Sequence, residues 1–301
     1  MSVVSIGYYH PSPLEPLKNQ LFDDNGVSVF LKRDDLFPGE ISGNKYRKLK
    51  YNLEELVQTG KKGIVTFGGI YSNHLRATAA AAKLYGIPSV GYVRDTRNGN
   101  EPENLCFLKQ SGMELIFLTR DEYRQRNEPE FLLKTREKFQ DYSLLPEGGT
   151  NDLAIKGCAE ITKEIGSNFD WIVCPCGTGG TIAGICSSLS SGKNALGIPV
   201  LKKFDTQKRN VIGFLEEINA PVRPLFDMSY TFGGYAKTDA RLKTFIRKFK
   251  ADFGISLDFV YNAKTVFAVF DLITRGFFGK GSTIVIVITG GLANANILKL
   301  L

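Results

Sequence analysis

A lysine that follows a glycine turn stands at the predicted start of a helix, in the segment 42–45 (SGNK). The positive end of a helix dipole and the neighbouring cations Arg47 and Lys48 both lower the pKa of the Lys45 amine. A lowered pKa leaves part of the amine uncharged and nucleophilic, as Schiff-base chemistry requires. Taken alone, such a residue is more commonly an exposed surface lysine, because most lysines lie in solvent.

A glycine-rich stretch, residues 176–184 (CGTGGTIAG), directly follows an apolar segment and leads into a predicted helix. A strand end, a glycine loop and a helix start together aim backbone N–H groups and the positive helix end at one point, which suits a phosphate group. A dinucleotide-binding fingerprint would have Gly at Ile182 and an acidic residue within 201–204, where the sequence is LKKF, so a nicotinamide or flavin cofactor is disfavoured. The alternative is a tight turn without a ligand, since glycine is common in ordinary turns.

A third turn of this kind occupies residues 68–74 (GGIYSNH). Ser72 and Asn73 can cap the helix that follows, or they can direct a hydroxyl and an amide toward a ligand. Open α/β sheets bind ligands where the carboxyl ends of parallel strands meet helix N-termini. Three such turns in one chain therefore predict one shared crevice.

The elements that must position these turns alternate along the chain from about residue 60, as is typical of a parallel sheet covered by helices. The predicted strands are 27–32, 63–67, 89–93, 114–118, 143–145, 171–174, 211–214 and 283–288. The predicted helices are 73–85, 103–110, 121–139 and 153–165, with another that begins near Lys45. The region 221–239 mixes Pro, Gly and aromatic residues and is predicted to be an irregular loop.

Composition excludes several classes of protein. The chain has 301 residues, 43% of them hydrophobic and 23% charged, which is typical of a globular protein with a core. A net charge of +7 comes without basic clusters, so nucleic-acid binding is disfavoured and an anionic small ligand fits better. No apolar run approaches the ~20 residues that span a bilayer, so we expect a soluble cytoplasmic protein without membrane contact.

Metal and disulfide chemistry are also disfavoured by the residues available. Five cysteines, an odd number scattered through apolar segments, fit reduced thiols better than a disulfide framework. Cys174 and Cys176 could form half of a metal site, but their apolar neighbours indicate a buried strand, and we expect no metal. With only His10 and His74 in the chain, multi-histidine centres and most histidine-based hydrolytic sites are improbable.

Together these segments resemble the pyridoxal-phosphate enzymes of the tryptophan synthase β-subunit fold (fold type II). The resemblance is to the branch that contains 1-aminocyclopropane-1-carboxylate deaminase and D-cysteine desulfhydrase, and it covers nearly the whole chain. The matching landmarks, in order, are 32–36 (KRDDL), 43–49 (GNKYRKL), 72–76 (SNHLR), 177–181 (GTGGT), 260–261 (VY) and 289–291 (TGG).

The resemblance implies an α/β, two-lobed, three-layer parallel-sheet fold. A smaller domain would span residues 46–155, and a larger cofactor-binding domain would combine residues 1–45 with 156–301. It also implies pyridoxal 5'-phosphate as the cofactor, a small amino acid as the substrate and a homodimer as the assembly.

Site residues follow from the same resemblance. Lys45 would carry the cofactor as an internal aldimine, Asn73 would bond its phenolic oxygen, and Thr289 and Asn262 would lie near its pyridine ring. Ser72 would meet the substrate carboxylate or share in proton transfer, with Tyr235 and Tyr261 flanking the substrate. The phosphate would be held by Gly177, Thr178, Gly179, Gly180 and Thr181.

The expected activity is that of a lyase that eliminates the Cβ substituent, as D-cysteine desulfhydrase does, giving pyruvate, ammonia and sulfide. The first alternative is the deaminase (a hydrolase), in which a nucleophile such as Tyr261 would open the cyclopropane ring. The deaminases carry Glu where this chain has Asn262, and an amide cannot keep the pyridine nitrogen protonated as a carboxylate does, which favours elimination. Tyr71 and Ile288 replace a glutamine and a histidine common in the family. The second alternative is a binding protein that keeps the fold without turnover.

Overall fold

The computed structural model describes residues 11–37, 39–41, 43–95 and 102–291. The strands are β1 (Leu14–Leu17), β2 (Ser28–Arg33), β3 (Gly63–Gly69), β4 (Ser89–Arg94), β5 (Met113–Leu118), β6 (Tyr142–Leu144), β7 (Trp171–Cys176), β8 (Asn194–Pro199), β9 (Leu225–Phe226) and β10 (Thr283–Ile288). The helices are α1 (Gln20–Asn25), α2 (Asn44–Gln58), α3 (Asn73–Tyr85), α4 (Glu103–Gln110), α5 (Arg120–Arg124), α6 (Pro129–Lys138), α7 (Asp152–Cys158), α8 (Glu160–Ile165), α9 (Gly180–Ser187), α10 (Asp205–Glu217), α11 (Ala240–Phe253) and α12 (Asn262–Thr274).

The strands form two sheets. One has the order β1-β2-β10-β7-β8-β9 and the other β5-β4-β3-β6. Every pairing is parallel except that of β1 with β2. The smaller sheet is built wholly from residues between 63 and 144, so one stretch of chain is inserted between the strands of the larger sheet. The α/β class and its parallel sheets are as predicted.

The larger sheet is covered by helices on both faces, because successive residues of a strand point to opposite sides. In β10, Ile284 and Ile286 belong to a core shared with α11 and α12. The intervening Val285 and Val287 belong to a second core shared with α9 and α10. Burial on both faces explains why this strand reads as an unbroken apolar run.

Helix α3 packs closely on the smaller sheet because its inner face is made of alanine. Residues Ala79, Ala81 and Ala82 are at most 1% exposed. Small side chains let the helix axis approach the strands, which brings the first turn of α3 to the carboxyl end of β3. That turn carries Ser72 and Asn73.

A buried ionic cluster fastens α2 to the larger sheet. The Arg47 guanidinium lies 2.7 Å from the Asp34 carboxylate and 2.6 Å from the Glu164 carboxylate. Lys32 of β2 also pairs with Glu164, and all four side chains are at most 3% exposed. Because uncompensated buried charges are costly, the cluster fixes the position of the first turn of α2, which carries Lys45.

Some of the predicted helices and strands differ from those in the structure. Residues 211–214 are not a strand but lie in α10, where Val211 and Leu215 are buried one helical turn apart. Strand β8 was not predicted, because its residues NALGIP lack a β-branched run although five of the six are buried. The predicted helix 121–139 is two helices, since Pro129 begins α6, and 153–165 is likewise divided at Ala159.

The region 221–239 is largely irregular, as predicted, with only the short β9 and one 3-10 turn at Met228–Tyr230. Among the described residues, no helix has the length and apolarity that a bilayer crossing needs. His10 and Ser42, both named in the sequence analysis, lie outside the described residues.

Candidate active site

The predicted turns meet around one cavity of about 350 Å³. That volume lies within the ~300–1,000 Å³ range of small-molecule sites. The predicted site residues that line it are Lys45, Ser72, Asn73, Gly177, Thr178, Tyr235, Tyr261 and Thr289. The other predicted site residues, Gly179, Gly180, Thr181 and Asn262, do not line it.

The turn before Lys45 is fastened to the end of β10. Gly43 has a φ of +69°, and a Cβ built on it would lie 2.1 Å from the carbonyl oxygen of Thr289. The next amide, that of Asn44, donates a hydrogen bond to the same oxygen at 3.1 Å. Only glycine fits this close approach, and the contact brings Lys45 to the carboxyl end of the larger sheet.

The electrostatic surroundings of Lys45 favour an uncharged amine. Burial lowers the pKa of Lys45 well below its usual value, and the positive charge of Lys48 lowers it further. An uncharged amine at neutral pH is a nucleophile toward an aldehyde. The lowered pKa expected from the sequence is therefore present, although burial outweighs the neighbouring cation as its cause.

The glycine loop at the start of α9 forms an anion cradle. Within the described chain, no hydrogen bond leads from the amides of Thr178, Gly179, Gly180 or Thr181 to another protein group. Gly179 has a φ of +88°, and a Cβ there would lie 2.5 Å from Val211. Free amides on a glycine loop at a helix N-terminus suit a phosphate group.

Lys48 adds a buried cation to this cradle. Its Nζ donates to the Thr150 hydroxyl at 2.9 Å and to the Gly148 carbonyl at 3.0 Å, and it lies 3.5 Å from the Thr178 hydroxyl. A Cβ built on Gly180 would lie 3.1 Å from the same Nζ. From the sequence, Lys48 was predicted only to lower the pKa of Lys45. Lys48 follows Lys45 by three residues, a spacing that places both amines on one helix face. This spacing could have indicated that Lys48 also belongs to the site.

Ser72 caps α3, the simpler of its two predicted roles. Its hydroxyl accepts a hydrogen bond from the amide of Leu75 at 3.2 Å. A Cβ on Gly68 would lie 2.7 Å from that hydroxyl, so the turn requires glycine there. The next residue, Asn73, extends toward the loop 289–291, with its Nδ2 3.4 Å from a Cβ built on Gly291.

His74 lies on the cavity wall as a neutral imidazole. Burial, with the charges of Lys45 and Lys48, lowers the pKa of His74 well below its usual value. Its Nε2 lies 2.8 Å from the Thr66 hydroxyl, which itself donates to the Leu145 carbonyl. Because that hydroxyl proton is engaged, the Nε2–H donates to Thr66 and Nδ1 is left as an acceptor.

Two tyrosines form the opposite wall. The rings of Tyr235 and Tyr261 pack edge to face, with centroids 6.0 Å apart. Burial raises the pKa of both phenols, that of Tyr261 well above its usual value. Both are therefore protonated at neutral pH.

The loop that carries Tyr235 is held by Lys264, which donates to the Thr231 carbonyl at 2.8 Å.

Asn262 fixes Thr289 rather than facing the cavity. Its Oδ1 accepts hydrogen bonds from the backbone amide and the hydroxyl of Thr289, at 2.9 Å and 3.2 Å. Its Nδ2 donates to the Asp258 carboxylate and to the Gly290 carbonyl. All the hydrogen-bonding capacity of this amide is thus used inside the protein. The same Asp258 carboxylate accepts from the amide of Tyr261 at 2.7 Å, which orders the turn that carries that tyrosine.

Five charged residues that were not predicted as site residues also line the cavity. They are Glu40, Arg76, Arg94, Arg126 and Glu147. Arg76 lies within the 72–76 landmark, and Glu40 and Glu147 stand beside glycines, but the five residues come from separate segments of the chain, so no local pattern marked them as one group.

Comparisons with known proteins agree with this geometry. A family model described as "Pyridoxal-phosphate dependent enzyme" matches residues 7–290. The chain is 31% identical to a putative 1-aminocyclopropane-1-carboxylate deaminase of Thermotoga maritima, over 94% of each chain. It is 30% identical to D-cysteine desulfhydrase of Klebsiella pneumoniae, over 93% of this chain and 92% of the relative.

A bifunctional D-cysteine desulfhydrase/1-aminocyclopropane-1-carboxylate deaminase of Arabidopsis thaliana is also 31% identical, over 89% of this chain and 73% of the relative. Among solved structures, an ACC deaminase homologue superposes with a TM-score of 0.83 at 29% identity, covering 97% of this chain and 94% of the other. A fungal L-serine ammonia-lyase of Rhizomucor miehei, at 17% identity and a TM-score of 0.70, shares the fold. With a lysine amine, an anion cradle and a family match over nearly its whole length, the chain belongs to the pyridoxal-phosphate dependent enzymes.

Proposed function

We propose that this protein eliminates the Cβ substituent of a small amino acid, with D-cysteine as the first substrate and pyruvate, ammonia and sulfide as products. The observation that carries the proposal is the arrangement around one cavity of a lysine amine whose pKa is lowered by burial, an anion cradle and two protonated tyrosines. The relatives include proteins named for this activity.

The residues present fit pyridoxal 5'-phosphate. Lys45 supplies the amine that holds its aldehyde carbon, and the loop 177–181 with the Lys48 ammonium would hold its phosphate. Asn73 would bond the phenolic oxygen. Thr289, fixed by Asn262, would lie beside the ring nitrogen. When bound, this cofactor makes the Cα–H of an amino acid acidic by spreading negative charge into its ring.

The protein's own groups then handle two protons. The Lys45 Nζ, once released from the cofactor, takes the proton from Cα as a general base. The Tyr261 hydroxyl, which burial keeps protonated, donates a proton to the departing sulfur. Ser72 and the first amides of α3 would hold the substrate carboxylate, since a helix N-terminus favours an anion.

Ring opening of 1-aminocyclopropane-1-carboxylate is the second candidate, supported by the names of several relatives. It needs a nucleophile on the ring carbon, and a phenol with a raised pKa is a poor one. It also draws more negative charge into the pyridine ring, and the neutral Asn262 amide adds no charge to oppose it. We therefore place elimination first.

The test is a product assay on the purified holoenzyme with D-cysteine, L-cysteine and 1-aminocyclopropane-1-carboxylate. We expect sulfide and pyruvate in equal amounts from D-cysteine, and no sulfide from the Lys45→Ala variant. Release of 2-oxobutyrate without sulfide would establish the deaminase instead. Full cofactor occupancy without turnover of D- or L-amino acids would establish the non-catalytic alternative.

We further propose a homodimer and a cytoplasmic location, the first from family resemblance alone. All five cysteines are free, which supports a reducing compartment. The domain boundaries near residues 46 and 155 also remain a proposal, supported by the insertion of the smaller sheet between strands of the larger one.

A further inference from the structure

Two of the three arginines around the cavity already have carboxylate partners. The Arg76 guanidinium lies 3.1 Å from the Glu40 carboxylate. Arg126 donates two hydrogen bonds to one oxygen of Glu147, at 2.6 Å and 3.0 Å. These charges are balanced before any substrate arrives.

Arg94 has no such partner in the described part of the chain. It ends β4 directly opposite Gly69 of β3, and its Nη2 lies 3.4 Å from a Cβ built on that glycine. Its guanidinium carbon lies 5.6 Å from the ring centre of Tyr123, whose hydroxyl is already donated to Glu147 at 2.8 Å. The ring therefore orients Arg94 without neutralising it.

The position of Arg94 points to the substrate side chain. The cradle at α9 and Lys48 account for the cofactor phosphate, and the first turn of α3 accounts for the substrate carboxylate. The charge of Arg94 also acts on the Tyr235 hydroxyl across the cavity, where it lowers the pKa that burial raises. Arg94 is exposed and lines the cavity with Gly69 and Tyr235, so its guanidinium, which has no carboxylate partner among the described residues, is available to a Cβ substituent bound there.

We propose that Arg94 is a specificity-determining residue that binds an anionic group on the substrate side chain. This rests on the proposed function and defines its substrate class as amino acids with an anion on the Cβ oxygen or sulfur, for example a phosphate ester. In the reaction, Lys45 takes the Cα proton and the Cβ–O bond breaks with its electron pair going to phosphate. The released enamine takes up one water and gives pyruvate and ammonium.

A binding experiment with unreactive ligands tests this directly. D-Alanine and D-2-amino-3-phosphonopropanoate differ only by a phosphonate on Cβ, and neither carries a Cβ leaving group. Calorimetric titration of the wild-type holoenzyme is expected to give at least tenfold tighter binding of the phosphonate. In Arg94→Gln this preference is expected to fall by about 10- to 100-fold, the range for a hydrogen bond to a charged group.

Two further variants complete the design. Arg94→Lys keeps the charge but loses the planar fork, so an intermediate preference is expected. Arg136→Gln removes the same charge from an exposed site on α6, outside the cavity lining, and is expected to keep the wild-type preference within twofold. A preference that depends on Arg94 but not on Arg136 supports the inference.

Equal wild-type affinities for the two ligands would overturn it, as would an unchanged preference in Arg94→Gln. An equal loss of affinity for both ligands would assign Arg94 to the α-carboxylate and overturn it too. The proposed function fails separately: binding of the phosphonate through Arg94 without sulfide release from D-cysteine would overturn the proposed desulfhydration and leave the role of Arg94 in place.

Discussion

Lys48 lies three residues after Lys45 on α2, and its positive charge lowers the pKa of the Lys45 amine. The same ammonium is held 2.9 Å from the Thr150 hydroxyl and contributes to the anion cradle. The Lys48 side chain thus has two effects on the site, since it adds to the lowering of the Lys45 pKa that burial causes and lies beside the glycine loop that suits an anion.

Replacing Lys48 by Met is therefore expected to slow attachment of the cofactor at neutral pH. Loss of the positive charge raises the pKa of Lys45, so more of that amine is protonated at a given pH and the pH profile moves to higher values. The profile is measured as the rate at which the visible absorption of the lysine-bound cofactor appears at saturating pyridoxal phosphate. Lys50→Met, on the same helix but paired with Glu160 at 2.6 Å, is the control and is expected to keep the wild-type profile.

Substitution of Gly43 by Ala is expected to cost about 2–4 kcal/mol of unfolding free energy, from the left-handed backbone together with the clash. The added Cβ would lie 2.1 Å from a backbone oxygen, so the turn must move and take Lys45 with it. Urea unfolding and cofactor content of the same preparations measure both effects. Gly60 has a similar φ of +67° but open space around it, so Gly60→Ala is expected to cost only ~1–2 kcal/mol and to leave cofactor content unchanged. Equal costs for the two variants would contradict the packing account.

A pH effect on stability is expected from Lys264. Burial lowers its pKa in the folded protein from 10.5 to about 8. Between these values the unfolded chain binds more protons than the folded one, so this residue makes stability rise with pH across that window. In Lys264→Met the rise attributable to this residue is lost. Chemical unfolding at several pH values from 7.5 to 9.5, comparing wild type with the variant, checks the sign. If the unfolding free energy changed with pH in the same way in both proteins, the expected effect of Lys264 would be ruled out.

Much of the site could be predicted from the sequence because its parts are local. A glycine turn, a cap and a helix start each occupy a few adjacent residues, as at Gly43–Lys45 and Ser72–Asn73. The order of these landmarks along the chain then indicated the family that the protein resembles.

What could not be predicted depends on packing between distant segments. The strand β8 has no local β signal, and its burial comes from β7 on one side and from helices above and below. The pairing of Arg126 with Glu147, which leaves Arg94 without a carboxylate partner among the described residues, joins segments far apart in the chain. The role of Asn262 depends on the conformation of the loop at Thr289, which the sequence does not reveal.

Borohydride reduction of the holoenzyme followed by peptide mass mapping identifies the amine that holds the cofactor, which we propose is that of Lys45. We expect the added cofactor mass on the peptide that contains Lys45, and no added mass in Lys45→Ala under the same conditions. A label on another lysine, or an undiminished label in Lys45→Ala, would contradict the account.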